Sequence, residues 1–112
     1  MLDEIKNDDW KLPFLGITAD REELLLIDWI ICNASKLVPD AFIPELTPLR
    51  YDVWKNLAIM EETSKSDIQF TLSISDADFL LICTPTTFRF GTGVDCGFYL
   101  KKKLAKFLRS NK

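Results

Sequence analysis

The sequence contains no histidine, and this absence excludes more chemistry than any other feature of its composition. Catalytic triads and dyads built on imidazole are excluded, as are zinc and iron sites that need a histidine ligand. No two cysteines have the C-x-x-C spacing of thiol redox centres and zinc ribbons. No nucleophile, base and metal cluster can be assembled from what remains, so we expect a protein that is not an enzyme and has no cofactor.

Cysteine and long apolar runs are also scarce. Cys32, Cys83 and Cys96 are odd in number and lie among apolar neighbours, which is typical of buried free thiols. The longest apolar stretch, residues 24–34, is interrupted by Asp28 and Asn33 and is far shorter than the roughly 20 residues of a membrane span. The first residues lack the cationic and apolar regions of a secretory signal. We therefore expect a cytoplasmic protein with no membrane partner.

The 112 residues, 47% apolar and 28% charged, suit a single globular domain. The net charge of −3 is unevenly distributed, because residues 101–112 hold six of the fourteen basic side chains and no acid. Residues 1–100 carry seventeen acids and eight bases, so this part of the chain has a charge of −9. Such a charge repels nucleic acid and attracts a basic protein partner.

Two amphipathic helices are predicted in the first half of the chain. The first covers about residues 20–37 and begins at Thr18 or Asp20 as its cap. The second begins with Thr47 as cap and Pro48 at the first helical position, after a connection with three prolines. Their predicted core-facing residues are Leu24, Ile27, Ile30, Ile31, Ala34 and Leu37 in the first helix, and Leu49, Val53, Leu57 and Met60 in the second.

The second half of the chain predicts strands and a closing helix. Residues 68–75 alternate between apolar and polar side chains, residues 79–83 are continuously apolar, and residues 88–90 alternate again. A terminal helix is predicted from Val94 to Arg109, and residues 12–17 could add a fourth strand. We expect one α+β domain, 1–112, in the order α-α-β-β-β-α, with its helices on one face of a three- to four-stranded antiparallel meander.

Three patterns resemble ligand sites and each also has an ordinary structural explanation. The glycine-rich turn from Gly91 to Gly97 lies where phosphates bind, but its G-x-G-x-x-x-G spacing and Asp95 favour a plain turn. Asp76 and Asp78 could bind a divalent metal, as in a small metal-dependent enzyme or ligand-binding domain, although aspartates are common in turns. The third pattern, predicted to be a solvated helix face, consists of Tyr99, Lys101, Lys102, Lys103 and Lys106.

Large apolar residues also occur among charges on the outer arcs of both predicted helices. Covered by a neighbouring element, they would be ordinary core. Exposed, they would form an aromatic anchor inside an acidic rim, which is the composition of a protein-binding hot spot. A further interpretation is that the protein is a structural subunit whose aromatic stripes pair with a second copy of itself. The predicted partner-binding residues are Glu22, Leu25, Asp28, Trp29, Tyr51, Trp54 and Glu61.

In its small size, lack of histidine, cytoplasmic character and acidic body, the chain resembles the immunity proteins with which bacteria neutralise toxins, including those of contact-dependent inhibition systems. The resemblance covers the whole chain and involves no motif. It implies a tight complex with a cationic toxin domain, such as a nuclease, whose active site or substrate groove is covered by acids that stand in for phosphate.

Overall fold

The computed structural model describes residues 16–39, 43–90 and 93–111. These residues form two strands and five helices, and every element contributes to one cluster of buried apolar side chains. Among the described helices, none has the length and apolar character that crossing a bilayer requires. In chain order the elements are β1 (Gly16–Asp20), α1 (Arg21–Cys32), α2 (Ala34–Leu37), α3 (Thr47–Thr63), β2 (Asp67–Thr71), α4 (Ile74–Cys83) and α5 (Cys96–Asn111).

The two strands form an antiparallel pair whose inner face joins the core. Ile17 lies opposite Phe70 and Ala19 lies opposite Ile68, so the apolar residues of both strands point to the same side. Gly16 begins the pairing, and a β-carbon there would collide with the backbone carbonyl of Phe70. Glycine at this position therefore allows the two backbones to approach closely.

A capping box fixes the start of α1. The Asp20 carboxylate accepts a hydrogen bond from the Glu23 backbone N–H at 2.8 Å, and the Glu23 carboxylate accepts one from the Asp20 N–H at 2.9 Å. Each bond satisfies a backbone N–H group that has no acceptor within the helix. The predicted cap at Asp20 is thereby confirmed, and most of the predicted core face of α1 is buried, namely Leu24, Ile27 and Ile30.

The predicted helix over residues 20–37 is interrupted at Asn33. The Asn33 side chain donates a hydrogen bond to the carbonyl of Trp29 at 2.8 Å, which ends α1, and the short α2 follows. Leu37, predicted to face the core, is 39% exposed because it lies beyond this break. Asparagine side chains compete in this way for backbone groups that a continuing helix would use.

The start of α3 differs from the prediction by one residue. Leu46 occupies the cap position and Thr47 is the first helical residue, so the prediction of Thr47 as cap was wrong. The Glu45 carboxylate instead accepts a hydrogen bond from the Thr47 N–H, and this bond lowers the pKa of Glu45. The helix ends at Thr63, and Ser64, its C-cap, has the left-handed backbone angles φ 57° and ψ 29°.

Replacing Ser64 by glycine should stabilise the protein. Glycine adopts the left-handed conformation without the steric cost that a β-carbon imposes, and it is the preferred residue just after a helix. We expect Ser64→Gly to raise the free energy of unfolding by about 0.5–1 kcal/mol in urea denaturation. Ser64→Ala is the matched control, because it removes the hydroxyl and keeps the β-carbon. An equal gain from alanine would contradict the explanation.

The predicted three- to four-stranded meander was wrong. Residues 79–83, predicted to be a strand, lie in α4, and Asp76 and Asp78, predicted to be in a turn, lie in the same helix. The Ser73 hydroxyl caps this helix by accepting a hydrogen bond from the Asp76 N–H at 3.1 Å. A short apolar run without polar alternation fits a buried helix as well as a buried strand, and here the serine cap selects the helix.

The other predicted strands also differ from those in the structure. Of residues 68–75, only 68–71 lie in the five-residue β2, and residues 74 and 75 begin α4. Residues 88–90 form no strand but a single bridge between Arg89 and Asp95. The predicted strand over residues 12–17 falls mostly outside the described residues, and β1 instead runs from Gly16 to Asp20. The resulting order is β-α-α-α-β-α-α, so the protein is α+β with a two-stranded sheet.

The closing helix has the apolar face that the sequence predicts. Its buried residues include Cys96, Leu100, Leu104, Phe107 and Leu108. Asp95 stands just before the helix, where its carboxylate accepts hydrogen bonds from the backbone N–H groups of Phe98 and Phe88, both at 3.0 Å. These bonds lower the pKa of Asp95, and they tie the preceding segment to the helix start.

Candidate protein-binding site

Asp28 joins the outer sides of α1 and α3. Its Oδ1 atom accepts a hydrogen bond from the indole N–H of Trp54 at 3.0 Å and another from Nε of Arg50 at 3.2 Å. Both donors lie on α3, one helical turn apart, so they reach the same carboxylate. One acidic side chain of α1 thus fixes the positions of two large side chains of α3.

Arg50 and Trp54 also contact each other directly. The guanidinium carbon of Arg50 lies 4.4 Å from the centre of the Trp54 ring, which is the geometry of a cation–π interaction. Trp54 nevertheless remains 52% exposed. The Trp54 indole is therefore held in one orientation from two sides while a large part of its surface faces solvent. We call Asp28, Arg50 and Trp54 the indole clamp.

Tyr51 lies beside the clamp on the same helix and is 66% exposed. Glu61 is also exposed on α3, about two turns beyond Trp54. Leu25 and Glu22 are half-buried on α1. The residues predicted for partner binding therefore lie on two adjoining helices, and two of the aromatic rings, those of Tyr51 and Trp54, are predominantly exposed.

Trp29 belongs to a different aromatic cluster. Its ring centre lies 5.2 Å from that of Phe88, and Phe88 in turn contacts Phe90 at 5.1 Å. Trp29 is 37% exposed, so this contact covers only part of its surface. The structure thus separates the two tryptophans: Trp54 belongs to the indole clamp, and Trp29 packs against the segment that Asp95 ties to α5.

The site is less acidic than the predicted residues alone indicate. Asp28, predicted as part of an acidic rim, is already paired with Arg50, and the two charges offset each other. The remaining exposed charged residues of α3 are more acidic than basic, and they are Asp52, Lys55, Glu61 and Glu62. Arg50 is not among the residues predicted for partner binding, because its contact with Asp28 spans 22 positions and leaves no local pattern in the sequence.

The alternative metal site at Asp76 and Asp78 has a different geometry from the one predicted. Two positions apart on a helix, the side chains diverge by about 200° and do not converge on one ion. Partial burial raises the pKa of Asp76, and Asp78 lines an apolar groove of about 540 Å³ with Ile82. Within residues 16–39, 43–90 and 93–111, no three acidic, cysteine or histidine side chains are grouped for metal binding.

The remaining candidate residues have mainly structural contacts. All three cysteines are free, and burial raises the pKa of Cys83 and raises that of Cys96 to about 11. Cys32, predicted to be buried, is exposed. Of the glycine-rich turn, Gly91 and Thr92 lie outside the described residues, and Asp95 places its carboxylate on the first turn of α5.

Comparison with known proteins finds no matching family model, no matching curated protein and no matching solved structure.

Proposed function

We propose that this protein is a non-enzymatic binding module that contacts a partner protein through the indole clamp and Tyr51. The observation that carries the proposal is Trp54, which is half-exposed although its N–H and its ring face are both engaged within the protein. A large aromatic side chain is normally stabilised either by packing into the core or, at the surface, by the entropy of moving freely. Here two side chains, Asp28 of α1 and Arg50 of α3, hold it at the surface.

The energetics of binding favour such an arrangement. Tryptophan, tyrosine and arginine are the residues that most often dominate the affinity of protein interfaces, because each buries a large surface in one contact. Ordering a free side chain costs about 0.5–1.5 kcal/mol on association. Because Asp28 and Arg50 already fix the indole, much of this cost falls on folding instead. The clamp is thus prepared for contact before a partner arrives.

The charge of the chain supports a basic partner. Residues 1–100 carry −9, and once Arg50 is paired with Asp28 the exposed charges of α3 are three acids and Lys55. Long-range attraction from this charge raises the rate of association with a cationic surface, and the aromatic side chains supply most of the affinity. The partner class that this combination favours is a positively charged protein domain.

We further propose that the partner is a toxin domain, most consistently a nuclease, and that this protein is its cytoplasmic inhibitor. A nuclease has a cationic groove for the phosphate backbone, and an acidic protein can occupy that groove. The resemblance in size and charge to bacterial immunity proteins supports the same assignment. Inhibition would then follow from occlusion, without a chemical step.

The test is a cleavage assay with the basic protein encoded by the neighbouring reading frame. An equimolar amount of this protein should abolish cleavage of nucleic acid, and the Tyr51→Ala/Trp54→Ala double variant should inhibit only at much higher concentration. Ile82→Ala is the matched control, since Ile82 is 71% exposed on α4 and lies outside the proposed site. Undiminished cleavage at an excess of the wild-type protein would overturn the proposal.

A further inference from the structure

The outer face of α5 carries cations and aromatic rings that the core does not use. At 100° per residue, five exposed side chains fall within an arc of about 100°, opposite the buried face of the helix. They extend over eleven residue steps, or roughly 16 Å. We call them the α5 outer face, and they are Phe98, Tyr99, Lys102, Lys106 and Arg109.

The lysines that the sequence predicted to share one solvated face of α5 fall into two groups in the structure. Lys103 donates to the Glu23 carboxylate at 2.7 Å and to the Thr18 carbonyl at 2.6 Å, and Lys101 lies 3.4 Å from the Thr84 carbonyl. These two lysines therefore stabilise contacts within the fold. In the described part of the chain, no ion pair or hydrogen bond involves Lys102, Lys106 or Arg109.

The aromatic side chains of this face are also exposed. Phe98 is 48% and Tyr99 is 50% exposed, and their rings meet edge to face with centres 5.3 Å apart. With 79° between the ring planes, they form no parallel slot into which a nucleic-acid base could stack. Phenylalanine and tyrosine at the end of a row of cations are instead suited to the headgroup region of a bilayer.

We propose that the α5 outer face docks the protein onto an anionic membrane surface. Its three exposed cations complement the negative potential of acidic headgroups, and the two rings enter the interface beside them. The face is a convex ridge along one helix, so a flat bilayer can contact all five side chains. The acidic remainder of the chain can then project away from the lipid, where salt screens it within about 8 Å. This inference is independent of the proposed inhibitor function.

Flotation with lipid vesicles tests the inference on the intact protein. The protein should bind vesicles of equal parts phosphatidylglycerol and phosphatidylcholine at low salt, and should not bind pure phosphatidylcholine. Each of the three exposed cations should contribute about fivefold to partitioning. The triple variant Lys102→Gln/Lys106→Gln/Arg109→Gln should therefore weaken binding by about a hundredfold. The variant Phe98→Ala/Tyr99→Ala should weaken it as well, at unchanged thermal stability.

A second triple variant separates the α5 outer face from net charge alone. Lys36→Gln/Lys55→Gln/Lys65→Gln removes three exposed lysines elsewhere and changes the net charge by the same amount. It should bind anionic vesicles nearly as well as the wild type. Equal loss in both triple variants, equal binding to neutral vesicles, or no binding to either would overturn the inference. So would a preference for a single-stranded oligonucleotide over anionic vesicles at the same salt concentration.

Discussion

Replacing Lys103 by methionine should lower the free energy of unfolding by about 3 kcal/mol. The reason is the position of Glu23, which is only 1% exposed although it carries a carboxylate. Its Oε1 atom accepts hydrogen bonds from Lys103 and from the Asp20 N–H, whereas Oε2 is buried and has no hydrogen-bond partner in the described structure. Removing the lysine would leave a buried charge without its counterion.

The expected loss of stability follows from how deeply each partner of the ion pair is buried. Breaking a fully buried pair costs 3–5 kcal/mol, and we expect the lower end of this range because the Lys103 side chain is 37% exposed. Methionine preserves the apolar stem of lysine, so loss of packing contributes little. Urea denaturation at neutral pH measures the difference, provided that the slope of the transition is unchanged.

Two variants make this prediction specific. Lys102→Met lies one residue away on the exposed side of α5 and should change stability by less than about 0.5 kcal/mol. Glu23→Gln in the Lys103→Met background should recover part of the loss, because glutamine is uncharged and can still complete a capping box. Equal losses from Lys102→Met and Lys103→Met, or no recovery with glutamine, would show that the buried pair is unimportant.

Replacing Trp54 by alanine should weaken binding to the proposed basic partner by at least about 2 kcal/mol, or roughly thirtyfold. The variant removes the exposed ring, and with it the ring face that Arg50 contacts and the indole N–H that donates to Asp28. Because Trp54 is half-exposed in the free protein, the variant should lose much less stability than affinity. Isothermal titration of the partner into each variant gives the dissociation constants.

Asp28→Ala distinguishes positioning from direct contact. This variant leaves the Trp54 ring in place and removes the acceptor that orients it. We expect a smaller loss of affinity than for Trp54→Ala, because the ring can still reach the partner after it has been ordered. Ile82→Ala should bind like the wild type. A loss of affinity in Ile82→Ala equal to that in Trp54→Ala would place the contact surface elsewhere.

The helices that could be predicted from the sequence are those with a long periodic pattern. α1, α3 and α5 each extend over twelve or more residues, which is long enough for an apolar stripe to separate from the other faces. α4 has ten residues, and its apolar run from Phe79 carries no polar alternation. Its helical state depends on the Ser73 cap, a single side chain preceding a run that also fits a strand.

The candidate site was predictable only in part, for a related reason. The arcs that hold Leu25, Tyr51 and Trp54 follow from helical geometry, which depends on neighbouring residues alone. The pairing of Asp28 with Arg50 depends on how two helices pack, and so does the separation of Trp29 from Trp54. The division of roles between Lys102 and Lys103 likewise appears only once the position of Glu23 is known.

Fluorescence of Trp54 tests most directly whether the indole clamp is the contact surface. The double variant Trp10→Phe/Trp29→Phe leaves Trp54 as the sole tryptophan. Because Trp54 is half-exposed in the free protein, its emission should lie at long wavelength and move to shorter wavelength when the proposed basic partner covers it. Saturating binding, confirmed by titration, with no change in Trp54 emission would contradict the account.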